Sequence, residues 1–133
     1  MTKKELIMST LEEKMGYCPE IDEDGDIKVV YQMKTIYVMT GKDDEPYVSV
    51  MLPQFREIED GKEMLALAVC NKMSRELKLV KVYIDQTFKH VTATCEFFYS
   101  GKKSLLQNLE KSLELLGVVR TVFRNDMEEL MEE

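Results

Sequence analysis

Few residues in this 133-residue sequence carry a thiol or an imidazole, the side chains best suited to nucleophilic catalysis and to zinc binding. There are three cysteines, Cys18, Cys70 and Cys95, and one histidine, His90. An odd cysteine count without a Cys-x-x-Cys spacing predicts neither a disulfide framework nor a zinc site. A nucleophilic cysteine needs an adjacent base and an orienting group. We therefore interpret His90 as a strand residue, and Cys70 and Cys95 as small buried hydrophobes, because their neighbours are apolar.

Two short motifs resemble ligand-binding loops but lack the required spacing. An EF-hand needs glycine at its sixth position and glutamate at its twelfth. Counted from Asp22, Gly25 is fourth and Met33 twelfth, so the run at 20–26 predicts an acidic turn. The run at 101–104 lacks the upstream glycine of a phosphate loop, and no carboxylate pair is flanked by apolar residues that would raise its pKa. The sequence therefore predicts no enzyme activity, no metal site and no cofactor.

Composition narrows the class of protein further. The net charge is -7, which argues against nucleic-acid and anionic-membrane partners, since these require clustered Lys and Arg. No apolar run approaches the roughly 20 residues of a membrane span, and no signal peptide is evident. Three unpaired thiols predict a cytoplasmic protein. With 44% apolar residues, the chain is expected to form one domain over 1–133.

Three segments have helical periodicity, at about 3–15, 62–76 and 104–131. Each begins with a capping signature, namely Thr2-x-x-Glu5, Asp60-x-x-Glu63 and Ser104-x-x-Gln107. In the third helix, a bend or break would fall at Gly117. In this helix, leucines recur at steps of three and four residues. This spacing fits either a helix lying on its own sheet or a projecting helix that pairs with a partner.

Runs rich in Val, Ile, Tyr and Phe predict strands at 27–33, 35–40, 47–52, 79–85 and 90–99. Short connections favour antiparallel pairing. We predict an α+β domain in which an antiparallel sheet of about five strands packs with three helices, in the order α-β-β-β-α-β-β-α.

Alternation divides the strand residues between two faces. One face is a credible core, formed by Val29, Tyr31, Ile36, Val38, Val48, Val50, Val80, Val82, Ile84, Val91, Ala93, Cys95 and Phe97. The other face is less polar than a solvent-facing surface requires, and carries Val30, Tyr37, Met39, Tyr47, Met51, Tyr83 and Phe98. A helix of the same chain, a partner or second subunit, or solvent could cover it.

The second helix also has apolar residues on two sides. Its main face contains Ala66, Val69 and Met73, whereas Met64, Leu65 and Ala68 lie opposite, so the helix is either sandwiched within the domain or docked on another subunit.

In segment 64–85, a helix with Asn71 near its end leads into a strand and an acidic turn. This pattern resembles the middle of YbjN-like proteins, which are described as bacterial sensory transduction regulators. The element order is similar to that of the class I type III secretion chaperones. Those are small, acidic dimers that bind extended effector segments without ATP. The resemblance implies a homodimer with the second helix at its interface, and it transfers no catalytic residue.

We therefore expect a non-enzymatic protein-interaction module, either a chaperone-like protein or a regulatory adaptor, that binds a segment of a partner protein. The alternative is a regulatory sensor of a small molecule. The expected partner-binding residues are Tyr37, Met39, Tyr47, Met51, Tyr83 and Phe98. The expected homodimer interface is formed by Met64, Leu65 and Ala68.

Overall fold

A computed structural model describes residues 1–132. Helix α1 (Lys3–Ser9) continues into a π-helical turn (Thr10–Lys14). The remaining elements, in chain order, are β1 (Glu20–Ile21), β2 (Ile27–Tyr31), β3 (Lys34–Met39), β4 (Tyr47–Glu57), α2 (Glu63–Glu76), β5 (Val80–Ile84), β6 (His90–Phe98) and α3 (Gly101–Met131).

The strands form one antiparallel sheet in the order β1-β2-β3-β4-β6-β5, which confirms the predicted α+β class. The sheet has six strands rather than about five. The additional strand, β1, pairs only Glu20 with Lys28 and Ile21 with Ile27. Two residues within an acidic run are too few to produce an alternating pattern, so this strand had no detectable signal in the sequence.

The helices lie on one face of the sheet. Buried residues of the helices, such as Ile7, Val69 and Leu109, form a single hydrophobic cluster with inward strand residues such as Val29 and Val50. Of the predicted core residues, only Tyr31 and Ile84 are half-buried rather than buried. The opposite face, called the open face below, therefore carries no helix of this chain among residues 1–132.

The helix starts only partly follow the predicted caps. Thr2 and Glu5 form the expected capping box, because each side chain bonds the backbone N–H of the other residue. The other two predicted caps are wrong. Lys62 precedes α2 without a side-chain bond, and Ser104 lies in the first turn of α3, which begins at Gly101. Tertiary packing therefore determines these two helix starts more than local capping does.

Helix α3 runs without interruption through Gly117 over 31 residues, or about 46 Å. Its buried side chains extend from Leu105 to Met127, so it lies on its own sheet rather than projecting from it. An ion pair between Lys72 and Asp126, at 3.1 Å, joins α2 to α3.

Strand β4 contains a bulge between Leu52 and Arg56, and Gln54 has a left-handed backbone there (φ 45°). The backbone N–H of Gln54 donates a hydrogen bond to the Thr92 hydroxyl at 3.0 Å, which stabilises the bulge. After it, Phe55 is buried and packs at right angles to Phe123 of α3, with ring centroids 5.7 Å apart. The bulge thus extends the core to the distal half of α3.

Candidate functional site

The open face brings together the six side chains predicted to bind a partner. Tyr37 pairs with Met51 across β3 and β4, and Tyr47 pairs with Phe98 across β4 and β6. The Tyr47 and Phe98 rings are in contact, with centroids 5.3 Å apart. Phe98 is 75% exposed, whereas the other five residues are half-buried. The six residues are Tyr37, Met39, Tyr47, Met51, Tyr83 and Phe98.

A polar network fixes the aromatic rings of this face. The Tyr47 hydroxyl donates a hydrogen bond to one oxygen of Glu96, and Lys81 forms an ion pair with the other oxygen. The Lys81 ammonium lies 5.6 Å from the Tyr83 ring centroid, and the Tyr83 hydroxyl is 2.8 Å from that of Thr94. These contacts restrict the side chains of this face, and a restricted surface loses less conformational entropy when a ligand binds.

The same contacts shift the pKa values of two side chains, Glu96 and Tyr47. The hydrogen bonds from Lys81 and Tyr47 lower the pKa of Glu96 below its usual value. The bond to Glu96 raises the pKa of Tyr47 to about 12, with burial adding to the shift. At neutral pH the network therefore consists of a carboxylate, an ammonium and a neutral phenol.

A depression of about 360 Å³ lies beside the network, bounded by Met51, Pro53, Tyr83 and the β5–β6 turn. In that turn, the Asp85 carboxylate accepts hydrogen bonds from Gln54 at 2.9 Å and from the Thr87 hydroxyl at 2.5 Å. These bonds lower the pKa of Asp85, and the bond from Thr87 has the largest effect. The lining of the depression thus combines apolar side chains with polar groups and one carboxylate, a combination suited to a partly apolar ligand.

The sheet edge at β5 is partly closed by α2. The Ser74 hydroxyl accepts a hydrogen bond from the Val82 amide at 2.9 Å and donates one to the Val82 carbonyl at 3.2 Å. Backbone groups that an added strand would need at Val82 are therefore occupied. This geometry favours recognition by side chains on the open face over strand addition at the middle of β5.

Acidic residues are concentrated in two loops at one end of the open face. The β1–β2 and β3–β4 connections lie at the same end because the strands are antiparallel. The charges are those of Asp22, Glu23, Asp24, Asp26, Asp43, Asp44 and Glu45. Burial and the neighbouring Asp22 and Asp24 charges raise the pKa of Asp26.

The residues of the predicted dimer interface are not equivalent in α2. Met64 is 77% exposed and Ala68 is exposed, but Leu65 is half-buried against the core. Leu67, which the sequence prediction omitted, is 49% exposed. The free apolar surface of α2 therefore contains Met64, Leu67 and Ala68.

The two buried thiols are poorly suited to nucleophilic attack. Burial raises the pKa of Cys70 to about 11 and that of Cys95 to about 12, so both thiols stay protonated at neutral pH. His90 begins β6, and its Nδ1 lies 3.3 Å from the Thr87 hydroxyl.

Among residues 1–132, no group of three or more His, Cys, Asp or Glu side chains is placed to hold a metal ion. The helices in the same range are all too short or too polar to cross a bilayer.

A sheet covered on one side, with an ordered aromatic surface on the other, is an arrangement suited to binding. The chain belongs to the family described as T3SS (YopN, CesT) and YbjN peptide-binding chaperone 1, whose model matches residues 2–128. This confirms the resemblance stated from the sequence and indicates a protein-interaction role.

The fold is similar to that in the crystal structure of YbjN from E. coli, with a TM-score of 0.61 and 10% sequence identity. The similarity covers 88% of this chain and 86% of the other. Among curated proteins, no sequence matches significantly.

Proposed function

We propose that the protein is a non-enzymatic chaperone-like or regulatory adaptor whose open face binds an extended segment of a partner protein. The observation that carries this proposal is the ordered, half-exposed aromatic and methionine surface, which no helix of residues 1–132 covers. Tyr and Met offer large contact areas with an adaptable shape, and aromatic anchors dominate binding energies. Membership of a peptide-binding family supports this occupant.

Charge supports a partner segment that is basic near one end. The two acidic loops border the end of the open face that contains Tyr47 and Phe98. Acids at the rim of a binding surface accelerate encounter with a basic partner more than they tighten the complex. A cytoplasmic location fits the two buried thiols and the exposed Cys18, since all three cysteines are unbridged.

The ligands for this test are 12-residue peptides selected from a display library for binding to the wild-type protein. Phe98→Ser is expected to weaken their binding by about tenfold or more, because an exposed aromatic anchor is lost. The free energy of unfolding should change by no more than about 0.5 kcal/mol, since Phe98 is 75% exposed. Peptide affinity is measured by fluorescence anisotropy, and stability by urea unfolding.

Met33→Ser is the matched control, because Met33 is 98% exposed and lies in the β2–β3 turn, at the end of the sheet opposite Phe98. It should leave peptide affinity unchanged. Equal losses in the two variants would contradict a specific role for the open face. A large loss of stability in Phe98→Ser would instead identify Phe98 as a core residue.

We also propose that the chain forms a homodimer through the free apolar surface of α2. A cleft of about 470 Å³ adjoins this surface, between Leu67 on α2 and Phe88 in the β5–β6 turn. Met64→Glu is expected to convert a particle of twice 15.5 kDa into one of 15.5 kDa, measured by light scattering across a concentration series.

Met33→Glu is the control for this experiment, because Met33 is 98% exposed at the β2–β3 turn and distant in sequence from α2. It should leave the dimer intact. A wild-type protein that is monomeric at every concentration would exclude the dimer without affecting the proposal for the open face.

A further inference from the structure

A second depression, of about 360 Å³, lies on the helix side of the molecule. The π-helical turn and the residues after it, the end of β2, and the middle of α3 enclose it. Its walls include Tyr17 and Tyr31, and Leu113 lies beneath them, buried to 2% exposure. None of these features belongs to the open face or to α2.

The two tyrosines form an aromatic corner. Their ring centroids are 5.7 Å apart and the planes meet at 75°. Tyr31 also lies against α3 at Gly117, where an added Cβ would approach its ring to 2.8 Å. Gly117 therefore allows the end of β2 to approach α3 closely enough to complete the corner.

Two carboxylates, those of Glu110 and Glu114, lie one helical turn apart on the α3 wall. Tyr31 and Glu114 line the same depression, and the pKa of Tyr31 is raised by burial first and then by the charges of Tyr17 and Glu114. Lys14 is a cation on the same rim, so the two glutamates and one lysine give the lining a net charge of -1.

The ion pair that Glu114 makes is weak. Lys111 lies 3.2 Å from Glu114, with both side chains more than 60% exposed. Exposed pairs of this kind contribute at most about 1 kcal/mol, so an incoming cation can displace Lys111.

The geometry points to an arginine-binding site, in which the aromatic corner and the two carboxylates receive an arginine side chain of a bound protein segment. A guanidinium is planar, so it stacks on an aromatic ring while its N–H groups bond a carboxylate in pairs. The assignment of a peptide as the source of the arginine rests on the proposed function. The site itself is separate from the open face.

The test is an NMR titration of ¹⁵N-labelled protein with the capped tripeptide acetyl-Gly-Arg-Gly-amide. Saturable shifts are expected at the amides of Tyr17, Tyr31 and Glu114. The same peptide with citrulline in place of arginine, which is neutral but similar in shape, should produce none. Binding should weaken as NaCl is raised, because the carboxylates are exposed.

Glu114→Gln is expected to weaken binding of the arginine peptide by about tenfold. Glu128→Gln, which makes the same charge change at an exposed position outside the depression, should have no effect. Tyr17→Leu should abolish the shifts, whereas Tyr17→Phe, which keeps an aromatic face, should retain them.

Equal responses to the arginine and citrulline peptides, or equal effects of the two glutamate variants, would overturn the assignment. The tripeptide carries no apolar side chain for the open face, so this result is independent of the Phe98→Ser experiment. Loss of binding in Phe98→Ser with no response to arginine would leave the proposed function standing and remove only the arginine site.

Discussion

Phe123→Ala is expected to lower the free energy of unfolding by about 3–5 kcal/mol, a large fraction of the stability of a domain of this size. Phe123 is 1% exposed and packs edge-on against Phe55, while the Arg56 guanidinium lies 5.9 Å from its ring centroid. Removing the ring leaves a cavity where the β4 bulge, α2 and α3 converge, and these elements can relax only partly. Urea unfolding followed by far-UV circular dichroism measures the loss.

Val118→Ala is the control on the same helix. Val118 is 46% exposed, and alanine has the higher helix propensity, so the change should be within about 0.5 kcal/mol. A loss below about 1 kcal/mol for Phe123→Ala would show that the distal half of α3 does not pack on β4 in solution.

Lys3→Met is expected to cost about 2–3 kcal/mol, because a buried ammonium loses its hydrogen bonds and leaves carbonyl acceptors unpaired. Lys3 is 5% exposed, and its Nζ donates to the carbonyls of Thr40 at 2.5 Å, Lys42 at 2.6 Å and Tyr47 at 3.0 Å. These bonds join α1 to the β3–β4 connection and to the first residue of β4. Faster amide hydrogen exchange at residues 41–45 should therefore accompany the loss of stability.

Lys4→Met provides the comparison, because the Lys4 ammonium donates to a single carbonyl, that of Gly25, and the residue is only half-buried. Its cost should be less than half that of Lys3→Met. If the two variants were equally stable, the three carbonyl contacts of Lys3 would not hold in solution.

Periodicity predicted most of the fold correctly. Alternation in 27–31 and 90–98, and the recurring leucines of 104–131, identified the correct elements because burial of one face imposes those periods. Local capping was less informative, since only the Thr2 box formed as predicted. Helix α1 was also extended as far as Met15 from its apolar spacing, although its backbone changes to a π-helical turn at Thr10. A single residue inserted into a turn leaves no reliable mark on hydrophobic spacing.

Of the two candidate sites, the open face could be predicted from the sequence, whereas the proposed arginine site could not. The side chains of the open face could be identified from the sequence, because strand alternation assigns Tyr37, Met51 and Phe98 to one face. The sequence left open whether a helix covers that face. Tyr17, Tyr31 and Glu114 come from three elements that are distant in sequence, so no local pattern could associate them.

The strand and helix types, the two faces of the sheet and the family could all be predicted from the sequence, since each of these follows from local periodicity or from a pattern along the chain. Three features became evident only in the folded molecule: the helices share one face, Gly117 leaves room for Tyr31 against α3, and Ser74 occupies the β5 edge. Periodicity specifies which side of an element is buried, whereas the neighbour that buries it depends on long-range packing.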